Sequence, residues 1–188
     1  MIKNILVSLR ALLVLTIITG VCYPLLITGI GQLAFPFQSN GSLVQQNGKV
    51  IGSALIGQRF EIDKYFSPRP SATNYDAMPS GGSNLGPTSK ALADSVAIRK
   101  AQFIKKNHTT VIPPDMLYAS ASGLDPHISP ASAFAQASRI AAARGFDSLQ
   151  SVKLTQLIDR HVEAPEFHIF GDPRVNVLLL NLALDSEF

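Results

Sequence analysis

The hydrophobic and polar positions of this 188-residue chain divide it unequally. Residues 11–35, ALLVLTIITGVCYPLLITGIGQLAF, hold no charged side chain over 25 positions. A helix rises about 1.5 Å per residue, so this run is long enough to cross a hydrocarbon core of about 30 Å. The pattern predicts one transmembrane helix over residues 11–35, preceded by a short N-terminal segment, residues 1–10.

A cleaved signal peptide is the competing interpretation of this run. Its apolar region would span only about 7–15 residues and would end at a small-residue cleavage site. Here the run is longer and no A-x-A pattern closes it, and Val21 is too bulky to precede a lipidated Cys22. A retained anchor is therefore favoured.

Four residues inside the predicted span bear on its packing. Pro24 lies near the middle and is expected to kink the helix. Gly20, Gly29 and Gly31 would permit the close approach of a neighbouring helix.

The charged residues that flank the span predict its orientation, because Lys3 and Arg10 precede it and no charge follows it before residue 49. The positive-inside rule then predicts a cytoplasmic N-terminus, with residues 36–188 periplasmic or extracellular.

Beyond residue 35, shorter patterns predict helices in a mixed fold. The first spans residues 88–107, with Thr88 or Ser89 as its N-cap. The second has Ser129 as its N-cap and ends at Gly145, and the third runs from Ser148 to about Val162. Their apolar faces are expected at Leu92, Val96 and Phe103, at Phe134, Ala137 and Ala141, and at Leu149, Val152 and Leu157.

Strands are predicted near residues 43–44, within 49–60, and within 115–129 ahead of an Asp-Pro turn. The C-terminal RVNVLLLNLAL, residues 174–184, is apolar on both alternating faces, which suits a strand covered on both sides, with a buried helix as the alternative. The fold class is therefore α+β or α/β: a single N-terminal transmembrane helix followed by one mixed α/β domain, residues 36–188.

Charge narrows the function classes. Residues 36–188 hold 14 basic and 13 acidic side chains, so the chain's pI of about 9.1 does not describe a basic domain. A nucleic-acid partner would need a clustered excess of positive charge and is not expected. The lone cysteine, Cys22, lies in the predicted span, so the domain has no disulfide and depends on its core.

The glycine-rich stretch SGGSNLGP, residues 80–87, is the first candidate for chemistry. It lies in a long irregular segment, residues 65–87, with four prolines and three glycines. A Walker-type loop needs a lysine directly after its last glycine, and here Lys90 comes four residues after Gly86. A backbone nest at Gly81 and Gly82 could still bind an anion weakly. A turn-rich loop, whose glycines supply positive φ, is favoured.

Other constellations are weaker. Ser120, Ser122 and Ser129 surround Asp125 and His127, but no G-x-S-x-G elbow is present. His161 and His168 flank Glu163 and Glu166, which resembles a zinc ligand set only faintly, and a solvated loop is preferred. The residues alone thus indicate an accessory or interaction subunit without a catalytic constellation.

Several stretches together resemble the C subunit of the bacterial Kdp-type potassium-transporting ATPase. They are YPLL (23–26), GSALIGQRF (52–60), YFSPRPSATNY (65–75), SGGSNLGP (80–87), ASASGLDPHISPASAFAQASRIAAARG (119–145) and VNVLLLNLALD (175–185). They occur in order and cover most of the chain.

The resemblance implies a non-catalytic subunit of an ATP-driven, high-affinity potassium uptake complex in the inner membrane. Its partners would be a channel-like potassium-translocating subunit, a P-type ATPase catalytic subunit, a small membrane peptide subunit and the lipid bilayer. The family's C subunit is described as a catalytic chaperone that raises the ATP affinity of the ATPase subunit. Its Gly/Ser-rich region, likened to an ABC-transporter signature, would associate Ser80, Gly81, Gly82, Ser83 and Asn84 with nucleotide.

Topology opposes direct contact with ATP. The positive-inside orientation places residues 80–87 outside, whereas ATP is bound on the cytoplasmic side. We therefore expect the chain to bind no cofactor by itself, with ATP and potassium handled by the complex. The alternatives are a membrane-anchored extracytoplasmic serine hydrolase, using Ser122 or Ser129 with His127, and an anion-binding module at Gly81 and Gly82.

Overall fold

The structure, a computed structural model, describes residues 2–188. The chain divides into two compact units, with the boundary between Ile51 and Gly52. The first unit is dominated by helix. It contains α1 (Ile2–Ile17), a π-helical turn (Ile18–Cys22), α2 (Tyr23–Ala34), the short α3 (Pro36–Ser39) and strand β1 (Leu43–Gln46), which pairs with β2 (Lys49–Ser53).

The apolar run forms a 33-residue helix, Ile2–Ala34, long and apolar enough to cross a membrane. The helix starts earlier than predicted because residues 2–10 continue the same helical path. The π-helical turn ends two residues before Pro24. Proline lacks a backbone N–H and clashes with the preceding turn of an α-helix, and a widened turn accommodates both. The helix is therefore irregular just before Pro24, as a π turn, and the expected kink stays a prediction.

The hairpin β1–β2 follows from its turn residues. Asn47 and Gly48 both adopt left-handed backbone conformations, with φ of 51° and 75°. Two such residues in succession form the type I′ turn, whose twist matches that of paired strands, and Asn-Gly is its favoured sequence. The strand predicted near residues 43–44 is confirmed. The second strand ends at Ser53, so the strand prediction for residues 54–60 is wrong.

The second unit packs four helices around a small antiparallel sheet. The elements are α4 (Lys90–Asn107), a 3₁₀ turn (Pro114–Met116), β3 (His127–Ile128), α5 (Pro130–Arg144), α6 (Ser148–Arg160), β4 (Val162–Glu163), β5 (Arg174–Asn176) and α7 (Val177–Glu187). Strand β5 is central, with Ile128 and Val162 both opposite Val175. The predicted class, an apolar helix followed by a mixed helix-and-strand part, is confirmed.

Capping residues fix the helix limits. Ser89 accepts a hydrogen bond from Leu92 N–H and Ser129 from Ser132 N–H, both as N-caps. Gly145 ends α5 with φ of 68°. Helix α6 begins at Ser148, as predicted, and its N-cap is Asp147, which forms a capping box with Gln150. The three predicted helices are therefore confirmed, each within two residues of its expected limits.

Two predicted apolar faces are right only in part: Leu157 of α6 and Ala141 of α5 are buried as expected, but other members of each face are exposed. On α6, Leu149 and Val152 are 64% and 53% exposed, and the buried residues are Leu154, Leu157 and Ile158. On α5, Phe134 is exposed, and the buried face includes Ser132, Gln136 and Arg139. A face that holds polar groups in the core does not follow the apolar periodicity on which the prediction rests.

The C-terminal run changes from strand to helix at one residue. Asn176 ends β5 and its side chain accepts a hydrogen bond from Leu179 N–H at 3.2 Å, which makes it the N-cap of α7. Burial then follows the helical positions 177, 180, 181 and 184. The strand prediction is wrong for residues 177–184, where the alternative, a buried helix, is right. The strand predicted within 115–126 is likewise absent, and only residues 127–128 pair.

Buried polar side chains hold an irregular segment in the core. Asn181 accepts from Phe66 N–H at 2.8 Å and donates to Phe66 C=O at 3.0 Å. Gln136 likewise accepts from Ser67 N–H at 2.8 Å and donates to Ser67 C=O at 3.1 Å. Arg139 donates to the carbonyls of Asp63 and Tyr65 and to the Gln136 side chain. We call Gln136, Arg139 and Asn181 the polar clamp, which gives residues 63–67 the hydrogen bonds that a neighbouring strand would otherwise supply.

Candidate functional site

The Gly/Ser-rich loop, residues 80–87, lies at the surface of the second unit. Ser80, Ser83 and Asn84 are exposed, and Gly81 and Gly82 are half-buried. Asn84 has a left-handed backbone, with φ of 52°, whereas Gly81 and Gly82 do not. A nest needs consecutive N–H groups with alternating right- and left-handed residues. The anion nest considered at Gly81 and Gly82 is therefore not formed, and positive φ does not explain these glycines.

Close packing explains Gly82 instead. A Cβ at Gly82 would lie 3.1 Å from the carbonyl oxygen of Ala121, so the two loops approach backbone to backbone. At Gly81, no heavy atom of the described chain lies within 4 Å of where a Cβ would stand. The adjacent glycines thus differ, since only Gly82 has its side-chain space occupied.

Gly123 completes the contact between these loops. Its φ is 70°, and a Cβ there would meet Thr73 Oγ1 at 2.6 Å and the Gly81 carbonyl oxygen at 2.9 Å. Residues 71–75, 81–82 and 120–123 therefore meet at one point, which we call the three-loop junction. Gly82 and Gly123 make room there for neighbouring main chain, which is a structural use of these two glycines.

Serine and tyrosine hydrogen bonds order the first of these loops. Ser71 Oγ accepts from the N–H groups of Thr73 and Tyr75 at 3.2 and 2.9 Å. The Tyr75 hydroxyl donates to the carbonyl of Arg69, and Ser120 N–H donates to Pro70 C=O at 3.2 Å. Burial raises the pKa of Tyr75 to about 12, so its hydroxyl keeps its proton and remains a donor at physiological pH.

A small cavity of about 250 Å³ collects the charged candidates. Arg69, Asp115, Asp125, His127, Ser129 and Arg174 line it. Arg69 pairs with Asp125 at 2.9 Å, and the His127 ring lies 3.6 Å from the other Asp125 oxygen. Burial alone would raise the pKa of Asp125, but hydrogen bonds from His127 and Arg69 outweigh it and lower the pKa. Asp125 is therefore a stable carboxylate that organises its neighbours.

The serines do not form a nucleophile–base pair with His127. Ser129 Oγ donates to Asp115 at 3.0 Å and caps α5, which leaves it in a structural role. Ser122 Oγ accepts from Leu124 N–H. The His127 nitrogens face Asp125 and, at 4.0 Å, Glu163. A triad needs a serine hydroxyl within hydrogen-bonding reach of the imidazole, and the hydrolase alternative lacks that geometry.

The histidines considered as zinc ligands, His161 and His168, also do not form a site. His161 follows the end of α6, with its Nδ1 2.8 Å from the carbonyl oxygen of Leu157. His168 lies in an exposed turn. Within residues 2–188, no group of three His, Cys, Asp or Glu side chains is arranged to hold a metal ion.

A cleft of about 410 Å³ lies between α4 and residues 59–75. Arg59, Arg99 and Lys106 give it a basic rim above a floor that includes Phe103 and Met116. Each cation already has a protein partner: Arg59 pairs with Glu61 at 2.5 Å, Arg99 donates to Leu117 C=O, and Lys106 donates to the Ser67 hydroxyl. Burial and the nearby Arg139 lower the pKa of Lys106. The rim therefore stabilises the protein's own loops.

The glycines of the long helix line no contact within their own unit. Gly29 has no described heavy atom within 4 Å of a Cβ position, and the nearest atoms at Gly20 and Gly31 are 4.0 and 3.8 Å away. The residues of α1 and α2 are exposed, apart from the half-buried Gly31. These glycines are free to lie against another helix, and that packing stays a prediction.

Sequence reasoning missed the polar clamp. Gln136 and Arg139 stand in an alanine-rich helix and Asn181 interrupts a leucine run. A polar residue at a buried helical position is unusual unless it is hydrogen-bonded. That rule could have marked all three as core groups with an unknown partner, although no sequence pattern identifies Phe66 and Ser67 as that partner.

Comparison with known proteins gives one consistent result. The family described as "K+-transporting ATPase, c chain" matches residues 5–186. A "Potassium-transporting ATPase KdpC subunit" of Rhodopseudomonas palustris is 47% identical, over 99% of this chain and 98% of the relative. Proteins of the same name from Bradyrhizobium diazoefficiens and Gemmatimonas aurantiaca are 49% and 51% identical, covering 98% and 95% of this chain and 98% and 92% of theirs. The hydrolase and anion-binding alternatives find no support in these matches.

Three glycine substitutions test the three-loop junction. Gly123→Ala combines positive φ with two close contacts, and we expect it to lower the free energy of unfolding by about 2–4 kcal/mol. Gly145→Ala has a similar φ and open space, so about 1 kcal/mol is expected. Gly81→Ala should stay within about 0.5 kcal/mol. Urea unfolding of the full chain in detergent measures all three, and a Gly123→Ala variant no less stable than Gly145→Ala would contradict the packing described here.

Proposed function

The chain belongs to the KdpC family, the c chains of K+-transporting ATPases, and we propose that it serves this assembly from outside the cytoplasm as a membrane-anchored subunit. It is an accessory subunit and not the catalytic ATPase subunit. The proposed anchor is the helix Ile2–Ala34. The proposed partners are a channel-like potassium-translocating subunit, a P-type ATPase subunit and a small membrane peptide subunit.

Charge supports the proposed orientation. Lys3 and Arg10 are the only charged residues before Lys49. Basic residues are retained on the cytoplasmic side of a span, so the N-terminus is assigned to the cytoplasm and residues 36–188 to the opposite face of the inner membrane. Gly20, Gly29 and Gly31 then provide the surface on which a partner's transmembrane helix packs.

The observation that carries the mode of action is the close approach of Gly82 to the carbonyl of Ala121. Gly82 uses its missing side chain to let two loops pack together, and residues 80–87 offer neither the lysine of a Walker-type loop nor a nest at Gly81 and Gly82 for a phosphate. We infer that residues 80–84 act through the shape that they give to a docking surface. Any effect on the ATP affinity of the ATPase subunit is then indirect, since coupling requires only that the subunit stabilise one state of its partner over another.

Protease accessibility tests the orientation. Protease added to intact spheroplasts should digest residues 52–188, because the second unit lies outside, and leave a small membrane-held fragment. Inverted membrane vesicles provide the control and should protect that unit until detergent is added. Digestion in inverted vesicles with protection in spheroplasts would reverse the orientation and remove the topological objection to ATP contact.

Nucleotide titration tests the mode of action. The purified full chain should show no heat of ATP binding by calorimetry at millimolar nucleotide. Ser83→Ala, which removes an exposed hydroxyl and keeps the backbone, should leave the ATP dependence of the assembled ATPase unchanged. ATP binding by the chain that Ser83→Ala abolishes would restore a direct nucleotide role.

A further inference from the structure

A short loop between β4 and β5 displays large apolar side chains to solvent. Phe167, Ile169 and Phe170 are 85%, 75% and 67% exposed. They lie within five residues of each other, in a segment that we call the finger, residues 165–171. Side chains of this size are normally placed in a core, and a contiguous exposed apolar group marks a contact surface.

The finger is an ordered turn. Glu166 and Phe170 exchange backbone hydrogen bonds, with Glu166 N–H to Phe170 C=O at 2.9 Å and Phe170 N–H to Glu166 C=O at 3.0 Å. Inside that bridge, His168 N–H donates to Pro165 C=O at 2.8 Å and Ile169 N–H to Glu166 C=O at 3.1 Å. Phe167 and His168 have left-handed backbones, with φ of 53° and 58°, which turn the chain sharply at the tip.

These hydrogen bonds lower the cost of moving the tip of the finger from water into an apolar environment. Moving an unpaired backbone N–H or C=O into an apolar environment costs free energy. In the finger, the N–H groups of Glu166, His168, Ile169 and Phe170 already donate to carbonyls of the same loop. Between Glu166 and Asp172 the single ionisable side chain is His168. The tip thus combines exposed apolar area with few polar groups that need solvent.

Charge is confined to the base of the finger. Arg174 pairs with Glu163 at 2.9 Å and lies 3.7 Å from Glu166. Asp172 follows the tip on the other side and is exposed. These groups favour water, so they limit how far the loop could enter an apolar phase. The arrangement is that of a shallow anchor.

We propose that the finger inserts into the interfacial region of the bilayer in which this chain is anchored. The inference rests on the membrane anchor proposed above. Residues 35–51 join the long helix to the second unit, so an anchored chain keeps the finger close to lipid at a high effective concentration. Membrane-surface elements bury phenylalanine and aliphatic side chains at the headgroup boundary.

The side-chain types favour lipid over a protein partner. The residues that contribute most binding energy at protein interfaces are enriched in Trp, Tyr and Arg, which carry polar groups as well as apolar area. The finger tip offers two phenylalanines and an isoleucine, and its side chains point out of a convex turn. The acidic groups at its base make zwitterionic lipid a better surface than anionic lipid.

A tryptophan reporter tests this directly, because the chain contains no tryptophan. Phe167→Trp in the full chain, reconstituted in phosphatidylcholine bilayers, should emit at shorter wavelength than a solvent-exposed indole. Lipid with brominated acyl chains should quench it. Leu149→Trp, at a site 64% exposed on α6, is the matched control and should emit as an exposed indole without quenching. Phe170→Trp provides a second reporter should the first disturb the turn.

Two further measurements separate the possible failures. Leu13→Trp, inside the long helix, reports on the anchor and should be quenched if that helix spans the bilayer. Quenching at Leu13→Trp with a water-like, unquenched Phe167→Trp would overturn the finger proposal and leave the anchor intact, whereas loss of quenching at both would overturn the anchor. A finger reporter that is shielded only in the assembled ATPase, and is not quenched by brominated lipid, would assign the tip to another subunit and also overturn the proposal.

Discussion

The hydrogen bonds of the polar clamp are the interaction on which the second unit depends. Asn181 and Gln136 each pair with both the N–H and the C=O of one residue, Phe66 and Ser67. Phe66 is fully buried, so its main chain has no water to bind. An unpaired buried backbone group costs about 1–3 kcal/mol, and Asn181 removes two such penalties at Phe66, where no strand is available. Gln136 pairs the same two groups of the half-buried Ser67, so two helices anchor an irregular segment to the core.

That constraint shapes the surface of the protein. Because residues 63–67 are fixed from within, the following segment starts from a rigid base and reaches the three-loop junction, where Gly82 and Gly123 allow main chains to meet. Other polar side chains fix loops and helix ends in this unit: the half-buried Asp115 accepts hydrogen bonds from Ser129 and Ser132 at the start of α5, and the buried Asn176 donates to Ala54 C=O. A surface built from loops that are hydrogen-bonded and closely packed is compatible with an accessory subunit of a potassium-transporting ATPase.

The elements with local signals were predictable from sequence. Ser89, Ser129 and Gly145 mark helix ends through their own side chains or φ, and these limits are confirmed. The C-terminal run is ambiguous in the sequence because its leucines suit a buried strand and a buried helix equally. The structure resolves this at Asn176, whose side chain caps the N-terminus of α7, and that contact depends on three-dimensional geometry. The role of Gly82 was not predictable, since the carbonyl that it faces belongs to Ala121, 39 residues away in sequence. The family resemblance was predictable because its motifs occur in order over most of the chain.

Hydrogen exchange of the full chain measures the clamp most directly. The amide protons of Phe66 and Ser67 lie in no helix or strand, yet they donate to buried side chains at 2.8 Å. They should exchange as slowly as the core of α5 around Ile140, through global unfolding only. Gln136→Ala should accelerate exchange at Ser67, and Gln156→Ala, at an exposed position of α6, should not. Exchange at Phe66 and Ser67 as fast as at the exposed Ser83 would contradict this account of the fold.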